Sequence, residues 1–526
     1  MKKIYVITCI LFLAMIAMAW FYFKKLNTET RNGDSGLYAA TGNSALIFCF
    51  QNDKSVIDIL KGQNLFSHLL TPGTFKAFCS LKKQFLLKPE ICNLFYQQNM
   101  YFSFIPGEDK QIDFLLSTQL NTAEGEASIW TALKSENIKV ENINGLKKLT
   151  LSDSTSFYFG LFNKLVLISS AAQPVNDAIK QANEKKENNF IDYIKSDHTL
   201  KKNSLANLFI NFNQIPALIN TLTTGLDGDL TLFNKQDAYT SLSYNFSKEK
   251  LLFNGSTTIN DQDNYYNLFS NVRAKKITID NMLPVNTATY TIYTMENYNS
   301  WRTNLKNWLA KQKNNNLNSF IENIRSKYRL NLEDAFPRYA KDQFVTFQLK
   351  TSEKLGAINL INGDKLSQQL LDLSESYNND IKLFKESDLL YYYFGEPFKK
   401  FKRPYYTIID NYMIFSNNAS TVQDFLNNYK NNNLLINTEA YTSIFNQLSA
   451  TSTLMFYINN EQFTDIARQN LLLPYYKQYK AESGLKTFET FSYQLSGDGG
   501  KFQTNLLLNT KANQTITDTL SNNIGF

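Results

Sequence analysis

Leu161 to Ile179, LFNKLVLISSAAQPVNDAI, aligns without a gap on Ile408 to Leu426, IIDNYMIFSNNASTVQDFL. Ser169, Ala172, Val175 and Asp177 recur as Ser416, Ala419, Val422 and Asp424, while the apolar run Leu165-Val166-Leu167-Ile168 meets Tyr412-Met413-Ile414-Phe415. Each stretch reads as a strand, a polar turn and an amphipathic helix. Pro174 suits the opening turn of the first helix, whose apolar stripe is Val175, Ala178, Ile179 and Ala182. In the second, Ser420 or Thr421 is placed to cap a stripe of Val422, Phe425, Leu426 and Tyr429.

The correspondence continues outward in chain order. Ser44 to Phe50 meets Thr287 to Tyr293, the latter followed by Trp301, Leu305, Trp308 and Leu309 on one helix face. Asn99 to Phe104 meets Asp342 to Phe347, and Asn207 to Asn213 meets Leu454 to Asn460, with Phe209 opposite Phe456. Leu242-Ser243-Tyr244-Asn245-Phe246-Ser247 meets Phe491-Ser492-Tyr493-Gln494-Leu495-Ser496, with apolar and polar residues alternating in both. The spacing is domain-sized, far beyond a solenoid unit, so the pattern predicts duplication of a whole domain. The expected organisation is an anchor at 1–30, repeat 1 at 38–262, a connector at 263–283, repeat 2 at 284–512 and a tail at 513–526. The connector is expected to hold a strand near Lys276-Ile277-Thr278-Ile279.

Within each repeat several strand runs are separated only by turns. Leu242 to Phe246 and Leu251 to Ile259 read as an antiparallel hairpin, and Phe488 to Leu495 with Phe502 to Asn509 read as another around Gly497-Asp498-Gly499-Gly500. The fold class expected is therefore α+β, two tandem homologous domains with antiparallel sheets and packed helices.

Ile4 to Phe23 is a run of twenty uncharged residues between Lys2-Lys3 and Lys24-Lys25. At 1.5 Å per residue such a run crosses the roughly 30 Å hydrocarbon core, and Trp20-Phe21-Tyr22 would sit at an interface. Ala17-Met18-Ala19 also fits a signal-peptide cleavage site. The four bulky residues Trp20 to Phe23 beyond that cut favour an uncleaved anchor. Cys9, inside the apolar run and after Thr8, is poorly placed for lipid attachment. With three residues before the span, the easier topology is single-pass in a bacterial inner membrane with the large domain exported to the periplasm.

In 526 residues there are four cysteines and two histidines, His68 and His198. Neither histidine lies in a nucleophile motif, and no Walker A, GxSxG, HExxH or GxGxxG pattern is present. No CxxC pair or His/Cys cluster suggests zinc, Asp227-Gly228-Asp229 reads as a turn before a calcium site, and no cofactor is expected. Cys79 and Cys92 are a candidate disulfide if the domain is exported, with burial as small apolar residues the rival reading. The net charge of +7 is small for this length. Lys399-Lys400-Phe401-Lys402-Arg403 reads as a solvated loop, and nucleic acid is discounted as a partner. Aromatic clusters such as Tyr391 to Phe394 read as core packing.

The layout of an anchor and two α+β units, with Met282 to Ala288 opening the second and Tyr412 to Asn417 preceding a helix, resembles uncharacterised bacterial membrane-anchored envelope proteins that carry domains of unknown function. Those motifs are hydrophobic patterns and transfer no site. The expectation is a membrane-anchored extracytoplasmic protein, a non-enzymatic binding or scaffold protein of the cell envelope, whose partner is an envelope protein, lipid or glycan. The alternatives are an envelope glycan-processing enzyme with paired carboxylates and a carrier of an apolar lipid.

Overall fold

The computed structural model describes residues 35–53, 72–83, 88–122, 125–135, 138–143, 145–184, 188–196, 205–225, 236–245, 250–312, 316–481 and 485–510. Strands β1 (Leu46–Gln51), β2 (Asn99–Pro106), β3 (Ile112–Gln119), β4 (Lys139–Ile143), β5 (Leu146–Thr150), β6 (Ser156–Phe162), β7 (Leu165–Ser169), β8 (Asn207–Asn211), β9 (Ala238–Asn245) and β10 (Lys250–Ile259) form a first run. Its hydrogen-bonded neighbours follow the path β4, β5, β6, β7, β3, β2, β1, β8, β9, β10, every pair antiparallel.

After the short β11 (Lys275–Lys276) come β12 (Thr287–Thr294), β13 (Ala340–Leu349), β14 (Lys354–Leu360), β15 (Ser374–Ser376), β16 (Lys382–Phe384), β17 (Tyr405–Ile409), β18 (Tyr412–Ser416), β19 (Thr451–Ser452), β20 (Leu454–Asn459), β21 (Phe488–Asp498) and β22 (Lys501–Thr510). The second path is β15, β16, β17, β18, β14, β13, β12, β20, β21, β22, again antiparallel throughout. β11 and β19 pair apart from it. β10 and β22 then pair antiparallel, from Lys250 opposite Asn509 to Thr257 opposite Phe502, and join the two runs into one twenty-stranded sheet.

Helices cover both faces, so central strands are buried on both sides; β12 is buried at every position. One face carries a single core across both runs, with Phe48, Phe102 and Phe253 from the first and Phe344, Phe456 and Phe502 from the second. The other face is divided. Ile47 and Phe209 pack under the helix Asn189–Ser196, and Leu167 packs with Val175 and Ala178 of the helix Ala172–Glu184. Tyr290 and Val345 pack with Phe425 and Tyr441 from the helices Ala419–Lys430 and Glu439–Phe445.

The α+β class and antiparallel pairing read from the sequence are present, as are both hairpins. Gly499 and Gly500 take φ of 57° and 91° in the second turn, a left-handed pair of the kind a tight hairpin requires. Four expectations shift. Asn99 to Phe104 does not match Asp342 to Phe347 residue for residue, since Phe102 lies in the shared core and Val345 on the divided side. Phe209 and Phe456 do not occupy the same face, since Phe209 points into the divided side and Phe456 into the shared core. The helix after β18 starts at Ala419 with Asn418 at its N-cap, so neither Ser420 nor Thr421 caps it. The connector strand is only Lys275–Lys276, and Ile279–Met282 is a 3₁₀ turn. The expected membrane span at 4–23, the tail at 513–526, His68, His198 and Asp227 to Asp229 lie outside the described residues. Among the described residues no helix is long and apolar enough to cross a membrane.

The seam between the runs is held by polar as well as apolar contacts. The Thr257 hydroxyl lies 2.6 Å from that of Thr240, 2.7 Å from that of Thr504 and 3.2 Å from that of Tyr493, all buried. Asn254 donates to Asn505 across the same ladder at 2.5 Å. Gly255 is required by close approach, because a Cβ there would stand 1.9 Å from the Ser241 carbonyl oxygen. Thr257→Val strips a partner from three buried hydroxyls and should cost about 2 kcal/mol in urea unfolding. A loss below about 0.5 kcal/mol, the usual size for a neutral surface change, would contradict this account of the seam.

Candidate ligand cleft

Beyond β10 the chain enters a 3₁₀ segment, Tyr265–Phe269, capped by the Asn264 side chain on the Tyr266 amide. It lies against the helix Tyr298–Lys311, whose N-cap Asn297 accepts from Ser300 N at 2.9 Å. The helix turns Trp301, Leu305, Trp308 and Leu309 inward. Tyr265 meets Trp308 edge-on with centroids 5.4 Å apart, and Phe269 packs on Trp301 at 5.7 Å. The Trp308 indole donates to the Asp263 carbonyl at 2.7 Å, while the Asp263 carboxylate pairs with Lys311 at 2.7 Å. These contacts fasten the connector to the helix at both ends of the 3₁₀ segment.

Between the two lies a cleft of about 380 Å³. Its floor is aromatic, with Trp301 and Trp308, and its rim is amide-rich, with Asn264, Asn267 and Asn271 on the connector side and Asn304 and Asn307 on the helix. Ser300, Asn304, Asn307 and Lys311 follow one another at intervals of four, three and four, an exposed row that flanks the tryptophan stripe. That polar spacing was the signal available in the sequence; the strong apolar stripe on the same helix draws the eye first.

The cleft is supported from behind. Tyr265 donates to the Phe394 carbonyl at 2.5 Å, and a Cβ on Gly395, which holds φ of 81°, would stand 2.2 Å from the Tyr265 ring. Arg302 is buried over the Tyr393 ring, donating to the Tyr392 carbonyl at 2.6 Å and to Glu333 at 2.8 Å. Burial opposes the Glu333 charge, but Arg302 and Lys306 together outweigh it and hold the carboxyl below its ordinary range.

The residues singled out from sequence do not gather there. Cys79, in the helix Pro72–Leu81, is a free thiol whose pKa is raised by burial against the opposing influence of Lys82. Cys92 lies in the helix Pro89–Leu94. The basic run is engaged in ion pairs, Lys399 with Glu396, Lys402 with Asp388 and Arg403 with Glu375, around a fully buried Phe401. Tyr393 and Phe394 are core residues, as expected. Asp113 is pushed up by burial, eased by a hydrogen bond from Ser170 at 2.8 Å, and pushed up further by the charge of Glu108. Among the described residues no group of three His, Cys, Asp or Glu side chains could hold a metal ion.

Comparison with known proteins adds little chemistry. A family model described as a protein of unknown function (DUF3352) matches residues 349–516, the part that holds β14 to β22. No curated protein matches the chain. Two crystal structures of TP0453 are similar over part of it. Crystal form IV is 10% identical with a TM-score of 0.25, covering 42% of this chain and 79% of that one; crystal form I is 8% identical with a TM-score of 0.22, covering 47% and 90%.

Glu333→Gln would leave buried Arg302 without its counter-charge and should cost about 3 kcal/mol at pH 7. Because the folded protein holds Glu333 below its ordinary pKa of 4.5, that stabilisation is complete above this value and is lost as pH falls through the folded pKa. Urea unfolding of both proteins from pH 7 to pH 3 should therefore show the gap closing below about pH 4.5. A gap that stays constant with pH would contradict the assignment.

Proposed function

We propose that this chain is a membrane-anchored extracytoplasmic protein of the bacterial cell envelope, single-pass in the inner membrane, that acts by binding rather than by catalysis. We further infer that its two halves descend from one duplicated domain. The observation that carries the binding reading is the cleft, whose aromatic floor and amide rim are recognition groups and whose Asp263 is occupied by Lys311. The uncharged run Ile4 to Phe23 supports the anchor.

Support for duplication comes from the two strand paths and their registers. Leu115 stands opposite Ser169, and Leu355 opposite Ser416; Tyr158 stands opposite Ser169, and Tyr405 opposite Ser416. The two serines that the ungapped alignment of residues 161–179 on 408–426 equates thus have a leucine on one neighbouring strand and a tyrosine on the other in both runs. A second reading, glycan processing by paired carboxylates, would use Asp113, whose carboxyl is pushed up by burial and by the charge of Glu108. It predicts turnover of envelope polysaccharide that Asp113→Asn abolishes.

Protease added to intact spheroplasts should digest the large domain, and complete protection would overturn the exported topology. Export would also place Cys79 and Cys92 in an oxidising compartment. Both are free thiols in this structure, so the proposed bridge forms by oxidation after export, and peptide mapping of protein alkylated before any reduction should then recover the two cysteines in one linked peptide. Alkylation of Cys79 in material taken from the cell envelope would refute the bridge.

A further inference from the structure

We propose that the cleft between Tyr265–Phe269 and the helix Tyr298–Lys311 binds a neutral, hydroxyl-rich ligand, a sugar unit of a glycan chain. This rests on the reading of the chain as a binding protein and names the ligand class of its cleft.

Three features select that chemistry. First, Asn271, Asn304 and Asn307 are exposed on the two rims, and their side-chain amides make no hydrogen bond among the described residues. Each amide offers two donors and one acceptor, the complement of a hydroxyl, which both donates and accepts. A row of such groups on either side fits a ring bearing several hydroxyls and fits an apolar ligand poorly.

Second, the charge in the cleft is largely internal. Lys311 is paired with Asp263, and the other charged wall residue is Glu296. Among the described residues the wall therefore carries no uncompensated cation with which to hold a phosphate or carboxylate, and its residual charge repels both. That disfavours a nucleotide or an acidic glycan on electrostatic grounds.

Third, the floor is aromatic and uncharged: Trp301 and Trp308 line it, both largely buried, and the Trp308 indole N–H is already satisfied by the Asp263 carbonyl. Polar recognition therefore falls to the amides of the two rims, with the rings closing the bottom of the cleft. The volume lies at the lower end of the roughly 300–1,000 Å³ of small-molecule sites, which suits a sugar unit with the rest of its chain in solvent.

The test uses the detergent-solubilised full chain and calorimetric titration with three neutral probes, chitotetraose, cellotetraose and maltotetraose. Tetragalacturonate and spermidine serve as the acidic and basic comparisons. At least one neutral tetrasaccharide should bind saturably and alter tryptophan fluorescence. Asn304→Ala combined with Asn307→Ala should weaken it at least tenfold without moving the unfolding midpoint, since both amides are exposed and unengaged. Saturable binding by none of the neutral probes, or binding of the acid or the amine that survives the double substitution, would overturn the proposal. The spheroplast digestion is independent of these residues. A chain that is exported but binds no sugar refutes the ligand class alone, and one that binds sugar but is not exported refutes the envelope reading alone.

Discussion

The ladder between β10 and β22 is the constraint on which the rest of the structure depends. Without it each run of ten strands would end in a long, unpaired edge, rich in apolar residues on one face and prone to pairing with other chains. Pairing the two edges with each other satisfies eight opposed residue pairs from Lys250:Asn509 to Thr257:Phe502 and merges two apolar faces into one core. The exposed ends of the sheet are then short or charged. β4 is Lys-Val-Glu-Asn-Ile, exposed at four of its five positions, and β15 is three residues long.

The seam also fixes the cleft. Asp263 follows β10 by four residues, so the connector leaves the sheet at the joint and must turn immediately. It passes beneath the end of β21, where a Cβ on Gly497 would come within 2.5 to 2.9 Å of the carbonyl oxygens of Val272, Phe269 and Ser270. Only glycine permits that approach. The 3₁₀ segment is thus trapped between the β21–β22 hairpin and the helix Tyr298–Lys311, and Tyr265 and Phe269 are driven against Trp308 and Trp301. The polar rim is what remains of both elements once their aromatic sides are buried.

Much of this was legible in the sequence where a segment has one wet face or a turn of fixed chemistry. The hairpins, the helix carrying Trp301 and Trp308, and the strand-turn-helix around Ser169 and Ser416 were read with boundaries close to those observed. Register in the central strands was not. Phe209 and Phe456 look equivalent because each sits in a strand that is apolar on both faces, and in such a strand a one-residue slip leaves the hydrophobic pattern unchanged while exchanging the faces. The seam was hidden for a related reason: alternation within β10 and β22 reveals which residues face inward but not which strand lies alongside. The cleft was missed because Asn264, Asn267 and Asn271 are separated from Asn304 and Asn307 by a full strand, and only folding brings the two rows together.

Backbone hydrogen exchange of the intact chain tests the joined sheet most directly. Amides of β10 and β22 that face each other across the ladder are predicted to exchange as slowly as those of central strands such as β12, and to become exposed together as denaturant is raised. Rapid exchange along β10 and β22, at rates typical of open edges and independent of one another, would show that the two runs are separate sheets and would contradict the account.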